Sequence, residues 1–555
     1  MAILAFSGTH PRYKIGFVGE DPPEEAIKEL EELGGYELYR FEESHLTEPG
    51  RLATTGAVIF RQAAQKPRRI LDYLKRYAGT LLWHDCRIFV EPVPATPGAN
   101  GPYFREIVVN ELNALKLPPS GLNGEEANKF NGRLGGPDTA PLTPCVHILE
   151  RPGIWSDVAV LLRNNPAGVP PRHDLRIDVD AIDSDGRPLC LRPEQDILVR
   201  RAFWNCASVQ LVGLKNGLSD VLTFRVFAHL LEDAAGGNWP FVYFIKIGER
   251  TIISKEYLAY RENALENIPY HLGPRLRLDR CALGHDQGII VSDYVSGAEP
   301  LRDCARDGRA VPVIANLFNS TLWAWRNGAQ SVQTPLQEYL LKGMSLRIPA
   351  HREPLVDAYG ASKSPEELEA LFIAMESRPV LVGVIHGDLH ATNVLVRGHD
   401  AIIIDFEKVD TQAPLLRDMA SLEGGLFVDG FIGDRRTGIE LLKSVECLYD
   451  AAAFRDGNVV PCHPRDGSAW FFDCVRQIRM QARQVECARY QYALALAVAL
   501  IRKACNKADF REDKTRTTIP SCPLSREDVR ALAYLLSERI LVGLSRDYSA
   551  QRIGA

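Results

Sequence analysis

The sequence has no Cys-x-x-Cys pair, although twelve cysteines are scattered along it between Cys86 and Cys522. That absence removes the usual zinc-ribbon and dithiol redox spacings. A chain of 555 residues needs no covalent staples to hold a core, so reduced thiols in a cytoplasmic protein are expected. Long apolar runs are missing too. The longest, Tyr492–Ile501, is half a membrane span and stops at Arg502-Lys503, which predicts a buried helix and no membrane association. The opening MAILAFSGTHPRYK has an apolar stretch too short for an export signal, with no basic residue ahead of it. Neither sign of charge dominates. A formal net charge of −6 argues against a strongly basic nucleic-acid binder, and no nucleic-acid partner is expected. No internal repeat is visible. What remains, 46% hydrophobic and 25% charged, is a globular composition at a length that suggests roughly three to four domains.

Residues 14–95 alternate strand and helix signals. KIGFVG (14–19) is short and apolar, and PPEEAIKELEEL follows with prolines ahead of helix formers. YELYRF (36–41) and TGAVIF (55–60) return to strand character, KPRRILDYLKRY (66–77) is a basic amphipathic helix, and LLWHD and RIFVEP are expected as short strands. Such alternation with short joints predicts a small parallel-sheet domain.

That pattern resembles a receiver domain of the response-regulator type. The resemblance implies acidic residues after the first strand, an Asp ending the third, and a Lys-Pro late in the fold. Glu20-Asp21 supply the first, but the third strand runs into Phe60-Arg61 and the late position holds Glu91-Pro92. The expectation for 1–95 is a degenerate receiver-like α/β domain without phospho-acceptor chemistry, serving as a regulatory surface or as a docking surface for a protein partner.

Residues 96–194 are expected to be a linker and a small β-containing region, with one short helix, YFREIVVNELNAL. In LRIDVDAIDSDGRPLCL, Asp185-Gly186 separates two alternating runs, a hairpin signal. Its Asp178, Asp180, Asp183 and Asp185 depart from calcium-loop spacing, so a solvated hairpin face is the reading. From about 195 onward the pattern fits one large α+β unit, beginning with strands and ending in long helices over 468–505 and 525–544.

The chemistry concentrates in VLVGVIHGDLHATNVLVRGHDAIIIDFEKV, residues 380–409. Two apolar strands, VLV (394–396) and AIIID (401–405), flank a turn, and the polar cluster HGDLHATN precedes the first. This puts Asp388, Asn393 and Asp405 at neighbouring strand ends. Phosphoryl transfer needs such groups. An acceptor-only carboxylate can orient a hydroxyl and take its proton, while the charge on the transferred group is met by magnesium, which wants hard oxygen ligands. Asp388 suits the first task, Asn393 and Asp405 the second.

HGDLHATN followed by IIIDFE resembles the catalytic loop and metal-binding strand of aminoglycoside phosphotransferases and choline kinases. The resemblance implies a two-lobed kinase-like fold, with an N-lobe over 195–295 and a helical C-lobe over 296–555. It implies ATP or GTP and Mg2+ as cofactors, and transfer of a γ-phosphate to the hydroxyl of a small-molecule or protein acceptor. Asp388 and His386 are the implied catalytic pair, with Asn393 and Asp405 on the metal. VQLVGLKNGLSDVLTFRVF (209–227) is similar to the family's first hairpin, where Gly213, Gly217 and Ser219 would approach nucleotide phosphates. Lys246, inside the apolar FVYFIKIG, would then pair with a helix glutamate and the phosphates. Glu256 is favoured and Glu262 is its rival, with a Lys snorkelling to solvent as the plain alternative. GIIVSDYVSG (288–297) resembles the hinge, and Asp418 a brace beneath the catalytic loop. His386 is expected to scaffold the loop and His390 to line the acceptor site, with acceptor recognition in 310–375 and 425–480.

A receiver-like module ahead of such a kinase is similar to bacterial multidomain proteins that carry the kinase-like ternary complex associated domain, which implies signalling or conflict. A second reading is a kinase-like module that binds nucleotide or a protein and transfers little.

Overall fold

The computed structural model describes residues 14–32, 36–61, 67–83, 86–91, 119–121, 146–149, 155–164, 171–183, 186–214, 221–231, 240–284, 286–342, 346–375, 377–454, 467–506 and 520–553. Two compact units divide the chain: Met1–Leu258 with Arg275–Tyr294, and Ala259–Pro274 with Val295–Ala555.

The first unit contains two sheets. The N-terminal one is parallel throughout, formed by β1 (Lys14–Val18), β2 (Glu37–Phe41), β3 (Thr55–Arg61), β4 (Arg87–Glu91), β5 (Pro119–Gly121) and β6 (Val146–Ile148), in the order β2-β1-β3-β4-β6-β5. Alternation along the strands explains why they are continuously apolar. Ile15, Phe17, Ala57, Ile59 and Phe89 pack on one face with Ala26, Leu30, Trp155 and Val158. Val18, Val58, Phe60, Ile88 and Val90 pack on the other with Ile70, Tyr73 and Leu74 of the helix Pro67–Trp83. A sheet covered on both faces has no polar side to show.

The structure corrects the expected boundary at residue 95, because β5 and β6 extend this sheet beyond it. Both are only three residues long, in a Pro/Gly/Asn-rich stretch where no alternation can develop. The expected strand LLWHD is also corrected: Leu81–Trp83 is the last turn of the helix Pro67–Trp83, whose apolar stripe continues through Leu81. The expected helix in YFREIVVNELNAL lies outside the described residues.

The second sheet is β7 (Arg176–Asp180), β8 (Cys206–Gly213), β9 (Leu222–Leu230), β10 (Phe241–Glu249), β11 (Ala282–Leu283) and β12 (Gln287–Asp293), ordered β11-β12-β10-β9-β8-β7. The helix Pro193–Ala202 packs on it through Leu198, Val199 and Ala202, so the expected boundary at 195 falls inside an element. Of the four aspartates singled out near β7, Asp178 and Asp180 are exposed, Asp183 accepts a turn hydrogen bond from Arg187 N at 2.9 Å, and Asp185 lies outside the described residues. The hairpin itself narrows to one bridge, Ile182 to Pro188.

The second unit is mainly helical. It holds two small sheets, β13 (Glu299–Pro300) with β16 (Val394–Arg397) and β17 (Asp400–Ile403), and β14 (Gln330–Val332) with β15 (Val380–Ile385) and β18 (Asp410–Pro414). Helices Leu416–Gly430, Ala469–Arg483, Gln491–Cys505 and Arg526–Ile553 form its bulk. The stretch Tyr492–Ile501 is a buried helix segment, each fully buried Leu contributing about 1.5–3 kcal/mol. Glu423 and Arg479 form an ion pair at 2.7 Å inside the core, and Tyr492 Oη donates to Glu423 at 2.6 Å, which satisfies the buried charges. Ser525 caps the final helix reciprocally: Asp528 N donates to Ser525 Oγ at 3.2 Å and Ser525 N to Asp528 at 2.9 Å. Among the described residues no helix is long and apolar enough to cross a membrane. Nine described cysteines are free, while Cys447 is disulfide-bonded, a departure from the expectation of reduced thiols throughout.

Candidate active site

The polar cluster is built on the end of β15. His386 and Gly387 follow its last residue, and their backbone N–H groups donate to the two oxygens of Asp418, at 2.6 and 2.9 Å. Asp418 stands in the first turn of Leu416–Gly430 and is buried. Burial pushes its carboxyl up despite His386 and the two N–H donors. This is the brace expected of Asp418.

The His386 ring is fully buried beside Phe406, and its Nε2 donates to Ile404 O at 2.9 Å. Its Nδ1 is buried with no hydrogen-bond partner among the described residues. The ring ties the loop after β15 to the end of β17, a scaffolding geometry. Gly387 has φ +77, and a Cβ there would meet Lys408 O at 2.0 Å, so only glycine fits.

Asp388 comes next, its side chain one-third exposed, with Oδ2 2.9 Å from Lys408 Nζ. Burial pushes its carboxyl up, but the Lys408 ammonium, helped by His390 and Lys503, more than offsets this and holds it below its ordinary value. Lys408 is burdened by desolvation, and the Asp388 carboxylate raises it. Lys408 was not singled out in the sequence. Its only signal there is its place in IIIDFEK, three residues after Asp405.

Asn393 closes the loop: its Nδ2 donates to Asp388 O at 3.1 Å, its backbone N to His390 O at 2.9 Å, and its O accepts Ile404 N at 3.0 Å. With the amide nitrogen used, the amide oxygen is the donor atom it offers a cation. Asp405 lies just past β17 in the left-handed region, φ 68 and ψ 76, a conformation that costs a non-glycine residue about 1–3 kcal/mol. The backbone pairing of Asn393 with Ile404 therefore sets two hard oxygen donors on adjoining strand ends. Among the described residues no group of three or more His, Cys, Asp or Glu could hold a metal alone. One carboxylate and one amide oxygen suit magnesium, which keeps waters and takes remaining ligands from phosphates.

His390 shares a hydrogen bond between its Nδ1 and Thr392 Oγ1 at 2.8 Å, and its Cβ lies 3.0 Å from where a side chain on Gly425 would begin. Burial and the Lys503 charge lower its titration point, although Asp388 and Asp429 act in the opposite sense.

In the first unit, Lys246 sits in β10 between β9 and β12, opposite Thr223 and Ile290. Its Nζ is 2.6 Å from Glu256 Oε2, with both side chains about nine-tenths buried, at 10% and 9% exposed. Glu256, on the helix Arg250–Ala259, is the partner; Glu262 lies beyond that helix. Gly213 ends β8, where an added Cβ would lie 2.8 Å from Ala181 Cβ, so close strand packing already requires it. Gly217 and Ser219 lie outside the described residues. The hinge-like segment is β12 with a turn at Gly297, φ +70.

Two family profiles overlap this segment. Residues 277–422 match the profile of the phosphotransferase enzyme family, and residues 368–503 that of ternary complex associated domain 9. No curated protein matches the chain. Among solved structures, a glucosamine kinase in complex with glucosamine, ADP and inorganic phosphate is similar at 12% identity and TM-score 0.34, over 67% of this chain and 92% of that one. An amicoumacin kinase in complex with AMP-PNP and Ca2+ has 12% identity and TM-score 0.33, over 60% and 88%. Choline kinase from Cryptosporidium parvum has 13% identity and TM-score 0.31, over 60% and 90%. These structural likenesses are slight. The family profile spans the braced loop, Asn393 and Asp405, so this segment is similar to the kinase-like phosphotransferases of that family.

Proposed function

We propose that the chain transfers the γ-phosphate of ATP or GTP to the hydroxyl of an acceptor, with Asp388 as the group that receives the hydroxyl proton. The observation that carries this reading is the pair of N–H donors from His386 and Gly387 to Asp418, which fixes the loop presenting Asp388. The acceptor oxygen forms a bond to the γ-phosphorus as the bond to the bridging oxygen of the nucleoside diphosphate breaks. The proton of the hydroxyl passes to Asp388. Because the carboxyl is held low, Asp388 is ionised and ready to accept, and it acts more by orienting the hydroxyl than by strong basicity.

Asn393 and Asp405 would hold Mg2+, which offsets phosphate charge when bound. Lys246, ordered by Glu256, supplies a desolvated cation for nucleotide phosphate. Lys408 brings a second cation to Asp388, and its side chain, about half exposed, would follow the transferred phosphoryl group. The N-terminal parallel sheet supports a receiver-like docking module for a protein partner, in a cytoplasmic protein of bacterial signalling or conflict.

The competing reading, a module that binds nucleotide or a partner and transfers little, gives no reason for an ionised, braced Asp388. A screen with γ-labelled ATP across sugar, amino-alcohol, aminoglycoside and protein acceptors tests the proposal. Label transferred to one class supports it. No transfer and no background hydrolysis, despite nucleotide binding, favours the binding module.

A further inference from the structure

Asn316, Asn319, Ser320 and Trp323 recur at the spacing of one helix face, i, i+3, i+4 and i+7. They lie on one helical stretch, Ala310–Asn316, Leu317–Thr321 and Trp323–Asn327. Its middle is widened by an i→i+5 bond from Leu322 N to Leu317 O at 2.9 Å. Such π turns are rare and frequent at functional sites. The rest of the stretch is ordinary core, with Val313, Ile314, Leu317 and Phe318 buried. Asn and Ser are weak helix formers, so helix stability does not explain the polar face. With His271 and Leu272, its four residues line a cavity of about 380 Å3 that opens to solvent, within the size range of small-molecule sites.

Two of these side chains have their amide oxygens engaged by the chain. Asn316 Oδ1 accepts Ala401 N at 3.0 Å, and Asn319 Oδ1 accepts Arg326 Nη1 at 3.3 Å. Only the oxygen of an amide accepts, so each is left with its N–H2 group to offer. Ser320 adds a hydroxyl, and Trp323, 58% exposed, adds an indole face and an N–H. No Lys, Arg, Asp or Glu lines the cavity among the described residues, so a ligand held by its charge does not match it. The lining is rich in uncharged donors and has an aromatic wall. A sugar ring fits both features. Its oxygens accept from the amides while its C–H face lies on the indole, and each hydroxyl can turn its own proton to water. A nucleobase also stacks, but its N–H donors are fixed in the ring plane and would face amide donors.

This cavity lies away from the residues assigned to phosphate and metal. Arg397 Nη2 donates to His271 O at 3.3 Å, while Asn316 and Thr321 hold the two backbone groups of Ala401. Those contacts grip the turn end of the β16–β17 hairpin. Asn393 and Asp405 flank its other end, roughly 13 Å away along the strand.

We infer that this cavity is a second ligand site, built for an uncharged saccharide. Isothermal titration calorimetry of the full chain with maltose, cellobiose, lactose and diacetylchitobiose tests it, and at least one of these disaccharides is expected to bind. Asn319→Asp keeps the oxygen that accepts from Arg326 and removes the N–H2 group, so it should weaken that binding about tenfold or more. Trp323→Ala should weaken it by a similar factor, and Trp323→Phe, which keeps a ring, should retain most of it. Asn319 and Trp323 are both exposed, so melting curves of the variants should match that of the unmodified protein. Absence of binding by all four disaccharides would overturn the inference. So would binding that Asn319→Asp and Trp323→Ala leave unchanged, because the sugar would then sit elsewhere. Adenosine binding that both substitutions abolish would reveal a base site in place of a sugar site, and overturns it as well.

Discussion

Lys408 Nζ lies 2.9 Å from Asp388 Oδ2, so the candidate proton acceptor has a cation as its nearest charged neighbour. The two residues come from different segments, one after β15 and one after β17. Their pairing lowers Asp388 even though burial works the other way. A lowered carboxyl remains ionised as pH falls, so activity should persist until the pH drops below the ordinary carboxylate range. In Lys408→Met burial is no longer opposed by that ammonium, and the acid limb of the kcat/KM profile should move to higher pH. The profile of ATP hydrolysis measures this directly. An unmoved limb would show that Lys408 does not set the charge state of Asp388.

Gly387 and Gly398 separate two costs of a side chain at positive φ. At Gly387 a Cβ would meet the backbone carbonyl of Lys408 at 2.0 Å, whereas at Gly398, φ +65, nothing lies within 4 Å. Gly398→Ala should lose about 1–2 kcal/mol for the left-handed backbone alone. Gly387→Ala should lose that and more, since a backbone carbonyl has to move, and should disturb the two N–H bonds to Asp418. Urea unfolding of the two variants tests the difference. Equal losses would mean that the loop shifts freely around Gly387.

Much of this site could be read in the sequence because its chemistry demands particular residue types at short range. His386, Asp388, Asn393 and Asp405 fall within twenty residues of one another, flanked by strands whose apolar character is plain. Lys408 is in the same stretch, yet only the fold brings it onto Asp388. The choice between Glu256 and Glu262 turned on which face of the helix after β10 is buried: Glu256 is buried and Glu262 exposed, which composition does not encode. Glu20, Arg61 and Glu91 each drew notice separately. That Arg61 donates to both glutamates depends on the order of a parallel sheet, and β5 and β6 of that sheet were too short to leave a periodic signal.

Asn393 and Asp405 offer two oxygen donors, too few for tight magnesium binding without phosphate. The expected consequence is thermodynamic linkage: MgATP should raise the melting temperature more than ATP or Mg2+ alone, by mass action on the native state. Asp405→Ala should bind ATP and lose the magnesium-dependent increment. Differential scanning fluorimetry with and without EDTA resolves the two. A wild-type protein indifferent to nucleotide under all these conditions would remove the basis for a metal role at Asp405.

Asp388 separates an enzyme from a binding module, because its carboxylate is presented by a braced loop while nucleotide contacts are assigned to Lys246, Asn393 and Asp405. Asp388→Asn keeps the size of the side chain and removes its charge and its capacity to take a proton. The Lys408 ammonium then loses its carboxylate, but that pair is partly exposed, so the fold should tolerate the change with little loss. Nucleotide affinity should remain within a few-fold of the unmodified protein, since Asp388 is given no contact with the nucleotide. Phosphotransfer or background hydrolysis should fall by about 10²–10⁴, the usual contribution of a positioned general base. Single-turnover kinetics distinguish this from a loss of binding, because a chemical defect lowers the rate at saturating nucleotide without moving the midpoint. A binding module would show no turnover to lose and an unchanged partner affinity. Equal turnover in the unmodified protein and Asp388→Asn would remove the proton-accepting role, and the braced loop would then have to serve recognition alone.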